Sequence, residues 1–157
     1  MSITKVKIVP FESKYASAFK AINQAWIEEY FKMEASDFKA LDHPKENIIA
    51  KGGYIAIALL DDEVVGVCGL IKMNDTEFDY ELAKMGVTPK AQGKKVGIQL
   101  GQHILNVAKE RGAKKIYIES NTILKPAIQL YRKMGFVEIN GIKSPYERCN
   151  IQLVLEL

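Results

Sequence analysis

Residues 80–97 read YELAKMGVTPKAQGKKVG, and this stretch decides the fold. Its first eight residues predict a strand that ends at Val87, because the following Thr88-Pro89 pair cannot continue a strand ladder. The segment from Gln92 to Gly97 is a short basic turn that leads directly into residues with helical periodicity. Such a turn, placed between a strand and a helix N-terminus, presents free backbone N–H groups and the positive end of the helix dipole. The sequence therefore predicts a pyrophosphate-binding site at residues 92–97.

A second informative segment, residues 121–136, reads NTILKPAIQLYRKMGF. It predicts a helix with Pro126 in the first turn, where a missing N–H costs nothing, and an end at Gly135. Between the two segments, apolar residues at helical spacing predict a helix that stops at Gly112, and Lys115 to Glu119 predicts a β-branched strand. The apolar face of that helix consists of Leu100, Ile104, Leu105 and Ala108.

The remaining sequence predicts two helical segments and several short strands. Apolar residues three and four positions apart predict a helix from Ser13 to Phe31, with Ser13 as its N-cap. A second helical piece is expected from Ser36 to Lys51, with a break at His43-Pro44. The strands are expected at Val6–Val9, Tyr54–Leu60, Val64–Met73, Phe136–Ile139 and Ile151–Leu157, with turns at Asp61–Glu63 and Asn74-Asp75.

The order of these elements predicts a mixed sheet of the α/β class. Tight turns make the early strands antiparallel, whereas the strand ending at Val87 and the strand beginning at Lys115 flank a helical crossover and are expected to be parallel. We expect helices on both faces of this sheet. No linker, long charge block or internal repeat divides the chain, so residues 1–157 are interpreted as a single domain.

The composition limits the class of partner. The 157 residues are 48% apolar and 26% charged, with a net charge of +3. This charge is too weak for a nucleic-acid module, which needs a clustered basic face. No apolar run reaches the ~20 residues of a membrane span, and the N-terminus lacks the apolar core of a signal peptide. We therefore expect a cytoplasmic protein that binds neither nucleic acid nor membrane.

The cysteines and histidines do not predict a metal site. Cys68 and Cys149 have no C-x-x-C partner and are expected to be reduced thiols. His43 and His103 have no cysteine or carboxylate partner at the spacing of metal ligands.

The two motifs, in this order, resemble those of the GNAT superfamily of acyl-CoA-dependent N-acetyltransferases. The family's signature turn is Gln/Arg-x-x-Gly-x-Gly/Ala, commonly with an extra Gly in second position. Here Gln92, Gly93 and Gly97 match, while Lys95 stands where a Gly is usual. The second segment matches at Asn121, Ala127, Leu130, Tyr131, Gly135 and Phe136. The resemblance covers residues 54–136 well and the whole chain in outline.

The resemblance implies acetyl-CoA as co-substrate, no metal, and a GNAT-like fold with a mostly antiparallel central sheet that contains one parallel strand pair. The pyrophosphate is expected on the backbone N–H groups of Gln92, Gly93, Lys94, Lys95, Val96 and Gly97. The backbone of Met85, Gly86 and Val87 is expected to bind the amide-bearing pantetheine arm. Asn121, Ala127 and Lys133 are expected to line the far side of the cofactor.

Glu81 and Tyr131 are the expected catalytic residues. An amine with a pKa near 10 must lose a proton before it attacks a thioester, and the position of Glu81 resembles that of catalytic glutamates in the histone-acetyltransferase branch. Even spacing along a regular strand places Glu81 on the face of Met85, about 13 Å away. Tyr131 stands at the family's tyrosine and is expected to protonate the leaving thiolate. The structural alternatives are a solvated or salt-bridged carboxylate and a core-facing aromatic ring.

The acceptor side is expected to involve the first helices and the turn-rich segment between the last strands. Its candidate residues are Trp26, Tyr30, Phe31, Asp37, Tyr146 and Arg148. Aromatic residues at helical spacing are more often part of a core, and that alternative stays open for the first three.

The predicted function is transfer of an acetyl group from acetyl-CoA to a primary amine of a small molecule, peptide or protein. The alternative is a non-catalytic regulator that binds acyl-CoA or another metabolite on the same fold, because fold alone does not fix function. The sequence leaves the identity of the amine open, and it leaves the oligomeric state open as well, although homodimers are common in this family.

Overall fold

The computed structural model of the protein describes residues 5–74, 77–140, 144 and 146–157. Its strands are β1 (Val6–Pro10), β2 (Tyr54–Leu60), β3 (Glu63–Lys72), β4 (Tyr80–Val87), β5 (Lys115–Ser120), β6 (Val137–Ile139) and β7 (Ile151–Glu156). Its helices are α1 (Ala16–Tyr30), α2 (Ala35–Asp42), α3 (Val96–Glu110) and α4 (Lys125–Lys133), with short helical turns at Ser13–Tyr15, Lys45–Ile49 and Pro89–Ala91.

The strands form one seven-stranded mixed sheet in the order β1-β2-β3-β4-β5-β7-β6. Every neighbouring pair is antiparallel except β4 and β5, which are parallel. The predicted α/β class, the mostly antiparallel sheet and the single parallel pair are therefore confirmed. The parallel pair results from the crossover through α3, as expected for two strands joined by a helix.

Helices cover both faces of the sheet, as predicted. On one face α3 and α4 pack over a core that includes Leu82, Leu100, Ile104 and Ile116, all at most 1% exposed. On the other face α1 and α2 enclose a separate cluster around Phe19. The second cluster also contains Ile27, Leu41, Ile48, Ile55, Ile57, Leu59 and Val67. The sheet is therefore the middle layer of three.

One local detail of the N-terminal helices differs from the predictions, and the predicted break at His43-Pro44 is confirmed. Ser13 is not the N-cap of α1, because residues 13–15 form a separate 3₁₀ turn and α1 begins at Ala16. The second helical piece is divided at His43, where α2 has ended and a single π-helical turn follows. A reciprocal capping box between Glu34 and Asp37 starts α2. The turn predicted at Asn74-Asp75 lies partly outside the described residues.

Strands β4 and β5 are paired over only two residues before they diverge. Tyr80 pairs with Ile116 and Glu81 pairs with Tyr117. Beyond these two pairs no further pairing of β4 with β5 is found in the described chain, so a gap opens between the carboxyl ends of the two strands. Ligands in sheets of this kind bind at the carboxyl ends of parallel strands, and the gap marks the place to look for a site.

A β-bulge at Lys84 changes which side chains share a face of β4. Gly69 pairs with Ala83 and Val67 pairs with Gly86, so Lys84 and Met85 together oppose the single residue between them on β3. Lys84 adopts a positive φ of 54°. An extra residue in one strand breaks the regular alternation of side chains.

The expected shared face of Glu81 and Met85 is therefore wrong. Glu81 pairs with Ile71, which packs in the α1/α2 cluster. Met85 packs in the α3/α4 cluster instead. The prediction assumed a regular strand, in which residues four positions apart share a face, and the bulge at Lys84 breaks this regularity.

Candidate active site

A cavity of about 620 Å³ occupies the gap between β4 and β5. Its walls come from α1, β4, the turn before α3, the end of β5, the start of α4 and residues 146–149. Of the predicted site residues, it is lined by Trp26, Tyr30, Phe31, Glu81, Met85, Gly86, Val87, Gln92, Gly93, Lys95, Val96, Gly97, Asn121, Ala127, Tyr131, Tyr146 and Arg148. Lys94, Lys133 and Asp37 are not among the lining residues. The divergence of two strands thus brings together residues from six parts of the chain.

The turn before α3 has the backbone geometry that a close approach to an anion requires. Gly93 has φ of 83°, and a Cβ built at this position meets nothing within 4 Å, so the space beside the backbone is open. Lys95 adopts the left-handed conformation (φ 63°, ψ 24°) at the position where the motif usually has Gly. The substitution therefore preserves the turn, at the strain that a side chain carries at positive φ.

The first N–H groups of α3 are available to a ligand. A helix leaves its first N–H groups without intrahelical partners, and no side chain caps α3. The turn is also anchored to the end of β4, because Gln92 Nε2 donates a 3.4 Å hydrogen bond to the carbonyl of Val87. The helix N-terminus and the strand edge therefore form a continuous wall.

The exposed part of β4 is held in place from behind. A Cβ at Gly86 would come within 2.9 Å of Ile22 and Trp26 of α1, so the helix packs directly against the strand backbone. Only glycine permits this approach. The backbone of Met85, Gly86 and Val87 lines the cavity on the side from which β5 has diverged.

Tyr131 lies between the core and the cavity. Its ring packs edge-on against Phe136, with centroids 6.2 Å apart, and belongs to the α3/α4 core. The same residue lines the cavity. Burial, and to a smaller extent the nearby Cys68 thiol, raises the pKa of the Tyr131 hydroxyl, so the group stays protonated at neutral pH. Tyr131 therefore both packs in the core and lines the cavity.

Glu81 is a half-buried carboxyl group on the cavity wall. Its pKa is raised to about 8, chiefly by burial and also by the charge of Glu119, while the charge of Lys84 partly opposes the shift. Glu119 stands at the end of β5, lines the same cavity, and accepts a 2.9 Å hydrogen bond from the Tyr117 hydroxyl. Two carboxylates thus face one cavity, and one of them has a pKa near neutrality.

A buried cluster of charges lies beside the part of the cavity that Lys84 and Arg148 line. Asp37 is fully buried and accepts a bidentate pair of 2.6 Å hydrogen bonds from Arg148 and a 2.6 Å hydrogen bond from Lys84. Arg148 also reaches Glu34 at 3.3 Å. Burial alone would raise the pKa of Asp37, but the hydrogen bonds from Arg148 and Lys84 outweigh it and lower the pKa to about 2. Asp37 therefore holds the cations that line the cavity and is not itself part of the lining.

The two lysines that fall outside the cavity are both exposed. Lys94 lies at a separate surface site with Lys5 and Gln99. Lys133 is at the last turn of α4. Their predicted contacts with the cofactor remain predictions.

Within the described residues, no group of three or more His, Cys, Asp or Glu side chains could hold a metal ion. Over the same part of the chain, no helix is long and apolar enough to cross a membrane.

Comparison with known proteins identifies the family. The model of the acetyltransferase (GNAT) family matches residues 19–136. The chain belongs to this family. An Escherichia coli K12 protein, the uncharacterised N-acetyltransferase YjgM, is 33% identical over 100 residues, which cover 62% of this chain. The match spans 60% of the length of the E. coli protein.

Solved structures of the acetyltransferase (GNAT) type have the same fold. An acetyltransferase of the GNAT family from Staphylococcus aureus Mu50 aligns with a TM-score of 0.87 at 20% identity, over 97% of this chain and 99% of that one. A Bacillus subtilis acetyltransferase solved in complex with CoA aligns with a TM-score of 0.73 at 22% identity, over 98% and 99%. At these identities the likeness establishes the fold.

Several residues of this GNAT site have only weak signals in the sequence. Lys84 is one of two charged residues, with Glu81, in the mainly apolar strand β4, and Glu119 shares its alternating face with Tyr117. Cys149 lines the cavity, and both cysteines are free thiols. Lys84 could have been singled out in the sequence, because it is a charged residue in the middle of a strand that packs on both faces.

Asp37 and Asp42 provide a matched test of the buried cluster. Both lie on α2 and both accept a 2.6 Å ion pair from a lysine, but the Asp37 side chain is 0% exposed and the Asp42 side chain is 36% exposed. Asp37→Asn leaves the buried Lys84 without a charge partner and Arg148 with Glu34 alone, and we expect a loss of about 3–5 kcal/mol in the free energy of unfolding. Asp42→Asn is expected to lose about 1 kcal/mol or less. Urea denaturation of both variants measures the two losses in the free energy of unfolding. Equal losses would show that the buried cluster contributes no more to stability than an exposed ion pair.

Proposed function

We propose that this protein transfers an acetyl group from acetyl-CoA to a primary amine, by direct attack of the amine in a ternary complex. The observation that carries the proposal is one continuous cavity with a free helix N-terminus at one end, a carboxyl group of raised pKa at the other and Tyr131 between them. Membership of the acetyltransferase (GNAT) family supports the reaction class. The Bacillus subtilis relative solved with CoA supports the choice of donor.

The turn before α3 suits the pyrophosphate of this donor. Gly93 leaves open space beside the backbone, and Lys95 lines the cavity with a cationic side chain. The N–H groups at the start of α3 supply the remaining donors, aided by the helix dipole. Val96 is buried, so its contribution is limited to its backbone. The residues assigned to the phosphates are therefore Gln92, Gly93, Lys95, Val96 and Gly97.

The pantetheine arm fits the strand edge that β5 leaves uncovered. The arm carries two amides, which can pair with the backbone of Met85, Gly86 and Val87 as an additional strand would. Asn121 and Ala127 line the opposite wall. Asn121 is itself fixed, because its Nδ2 donates a 2.7 Å hydrogen bond to the carbonyl of Arg148. This bond ties the cofactor wall to the acceptor end.

Glu81 is assigned the role of general base. An ammonium group has no lone pair to attack a carbonyl, and a base with a pKa of about 8 removes its proton far more readily than an ordinary carboxylate. The proton passes from the amine to Glu81 directly or through one water. The neutral amine then forms the N–C bond with the thioester carbonyl, and the C–S bond breaks.

Tyr131 is assigned the role of general acid. Its hydroxyl remains protonated at neutral pH and is available to the thiolate that leaves when the C–S bond breaks. The pKa of a thiol is near 8.5 in water but rises in a dry cavity, as burial does to the pKa of Tyr131. The raised pKa makes the Tyr131 hydroxyl a weaker acid than a free phenol, so the proposed transfer relies on a thiolate whose basicity the cavity raises as well.

A broad panel of primary amines tests the proposed function. Thiol release from acetyl-CoA is measured with each amine, and turnover above the hydrolysis background is the expected result. If acetyl-CoA binds but no amine supports turnover, the protein is a non-catalytic acyl-CoA-binding regulator and the proposal is wrong.

Gly97 allows a test of the phosphate site. Gly97→Asp places a negative charge at the start of α3, and we expect CoA affinity to fall tenfold or more, about 1.4 kcal/mol. A Cβ at Gly97 would already meet Leu130 at 3.3 Å, so Gly97→Ala is the steric control. Calorimetric titration with CoA should show a much smaller loss for the alanine variant. Equal losses in the two variants would attribute the effect to packing and not to a phosphate.

Tyr131→Phe tests the general acid. The variant keeps the ring that packs against Phe136 and removes only the hydroxyl, so we expect kcat to fall by about 10²-fold with little change in acetyl-CoA affinity. Tyr54→Phe is the control, because the Tyr54 hydroxyl bonds to His103 at 2.8 Å outside the cavity. Steady-state kinetics of both variants provides the comparison. A Tyr131→Phe enzyme with the wild-type kcat removes Tyr131 from the mechanism.

Glu81 and Glu119 together test the general base. A base acts in its deprotonated form, so kcat/KM of the wild type should rise with pH through about 8 as Glu81 loses its proton. The pH profile of the Glu81→Gln variant should lack this rise. Glu119→Gln removes a charge that raises the pKa of Glu81, so the rise in kcat/KM should occur at lower pH. The same acceptor is used for all three proteins, so the ionisation of the amine affects each pH profile equally. Differences between the profiles then come from the enzyme. Three superimposable profiles would leave positioning of the substrates as the whole of catalysis.

A further inference from the structure

Charged groups of both signs line the acceptor end of the cavity. Glu81 and Glu119 are on the walls formed by β4 and β5, while Lys84, Tyr146 and Arg148 line the cavity beside them. The bulge in β4 brings Lys84 onto the α1/α2 side of the sheet, which is also the side of Glu81. Glu81 and Lys84 are three residues apart on β4 and lie on the same side of the sheet.

The cationic side of this end has hydrogen-bond donors left over. A guanidinium has five N–H donors, and the described residues accept three of those of Arg148, two at Asp37 and one at Glu34. An ammonium has three donors, and Lys84 uses two, one to Asp37 and one at 3.1 Å to the Tyr146 hydroxyl. Two donors of Arg148 and one of Lys84 therefore have no acceptor among the described residues.

The Tyr146 hydroxyl is also an available donor. It accepts its hydrogen bond from Lys84, which leaves the phenolic proton to be donated elsewhere. The Arg148 guanidinium lies 4.4 Å from the Tyr146 ring centroid and the Lys84 ammonium 4.8 Å from it, so the three groups form one compact cluster. The surplus of donors over acceptors in this cluster is the chemistry of an anion-binding site.

We infer that the acceptor is a free α-amino acid, whose amine faces Glu81 and Glu119 and whose carboxylate is bound by Lys84, Tyr146 and Arg148. The inference rests on the proposed function and names its substrate class. The two charged groups of an amino acid are separated by a single carbon, which matches a cavity end where opposite charges are adjacent. Charge-assisted hydrogen bonds to a carboxylate are among the strong ones in proteins, and a guanidinium is suited to its planar shape.

The other classes of amine fit this end less well. A peptide or protein N-terminus offers a neutral amide where the donors require an anion, so the charge of Lys84 and Arg148 would gain nothing. A polyamine would place a second ammonium against one of these cations, and like charges at close range repel. The aromatic side chains of Trp26, Tyr30 and Phe31 surround the same end and are available to the side chain of the amino acid.

The first experiment compares each of the twenty L-amino acids with its own amide and its decarboxylated amine. Thiol release from acetyl-CoA gives kcat/KM for each compound with the wild-type protein. We expect at least one amino acid to exceed its matched amide and amine by tenfold or more. The comparison is stringent, because an α-amino group beside an amide has a pKa near 7.7–8.0 and is more often neutral at pH 7. Without carboxylate recognition the amide should be the better substrate.

The second experiment tests which residues bind the carboxylate of the amino acid. Lys84→Met should raise KM for the amino acid tenfold or more and reduce its preference over the amide, while Asp37 keeps its bidentate bond to Arg148. Lys84→Arg retains the cation and should restore most of the preference. Lys20→Met removes a surface lysine that pairs with Asp42 at 2.6 Å and should leave the preference unchanged. Tyr146→Phe removes one donor only and should give a smaller loss of preference.

The outcomes separate this inference from the proposed function. Amides or decarboxylated amines that are acetylated as well as the amino acids would overturn the inference and leave amine acetylation intact. Preferential turnover of polyamines or of peptide N-termini would overturn it in favour of that class. A preference for amino acids that survives Lys84→Met and Tyr146→Phe would show that the carboxylate is bound elsewhere. No turnover with any amine would overturn the proposed function itself.

Discussion

The site depends on the early separation of β4 from β5. Two residue pairs are enough to keep the strands parallel, and beyond them the edge of β4 is free on one side while β3 holds it on the other. A strand edge that is exposed to solvent is usually a liability because it offers unpaired backbone groups to other chains. Here the edge lies along a cavity, and α1 packs directly against the strand backbone at Gly86.

The buried cluster around Asp37 orders the other end of the cavity. Its hydrogen bonds connect α2, the bulge of β4 and the segment that contains Tyr146 and Arg148, which are distant in sequence. Buried ion pairs contribute little net stability, because desolvation of the charges offsets their attraction. Apolar residues of similar volume would hold these elements together as well. The cluster is better explained by what it presents to the cavity, namely cations fixed in position with donors to spare.

The sequence predicted the parts of the fold that depend on local patterns. The bounds of β2 and β4 were predicted without error, since mainly apolar runs and the turns after them mark both strands clearly. The parallel pair followed from the helical crossover. Both cofactor motifs were located because their residues are close together in the chain.

The parts of the site that were not predicted depend on long-range contacts or on irregular geometry. The bulge at Lys84 leaves no mark in the sequence, and it reversed the expected face of Met85 relative to Glu81. The partners of Asp37 are 47 and 111 residues away along the chain, so no local pattern connects them. Asp37 was expected to shape the acceptor pocket directly, but it does not line the cavity and instead binds Lys84 and Arg148, which do.

The pKa values of Asp37 and Glu81 are shifted in opposite directions, and this difference distinguishes a structural carboxylate from a carboxyl group that faces the cavity. Asp37 accepts four hydrogen bonds and its pKa falls to about 2, so its charge stabilises the folded state above the pKa of an unfolded Asp. Glu81 accepts none from the described residues, and its pKa rises to about 8. Between the pKa of an unfolded Glu, about 4.3, and pH 8 the folded state binds the extra proton, so stability falls as pH rises. A carboxyl group that lowers stability at neutral pH has no structural reason to occupy a cavity wall. Its position there agrees with the proposed role of Glu81 as the group that accepts a proton from the amine.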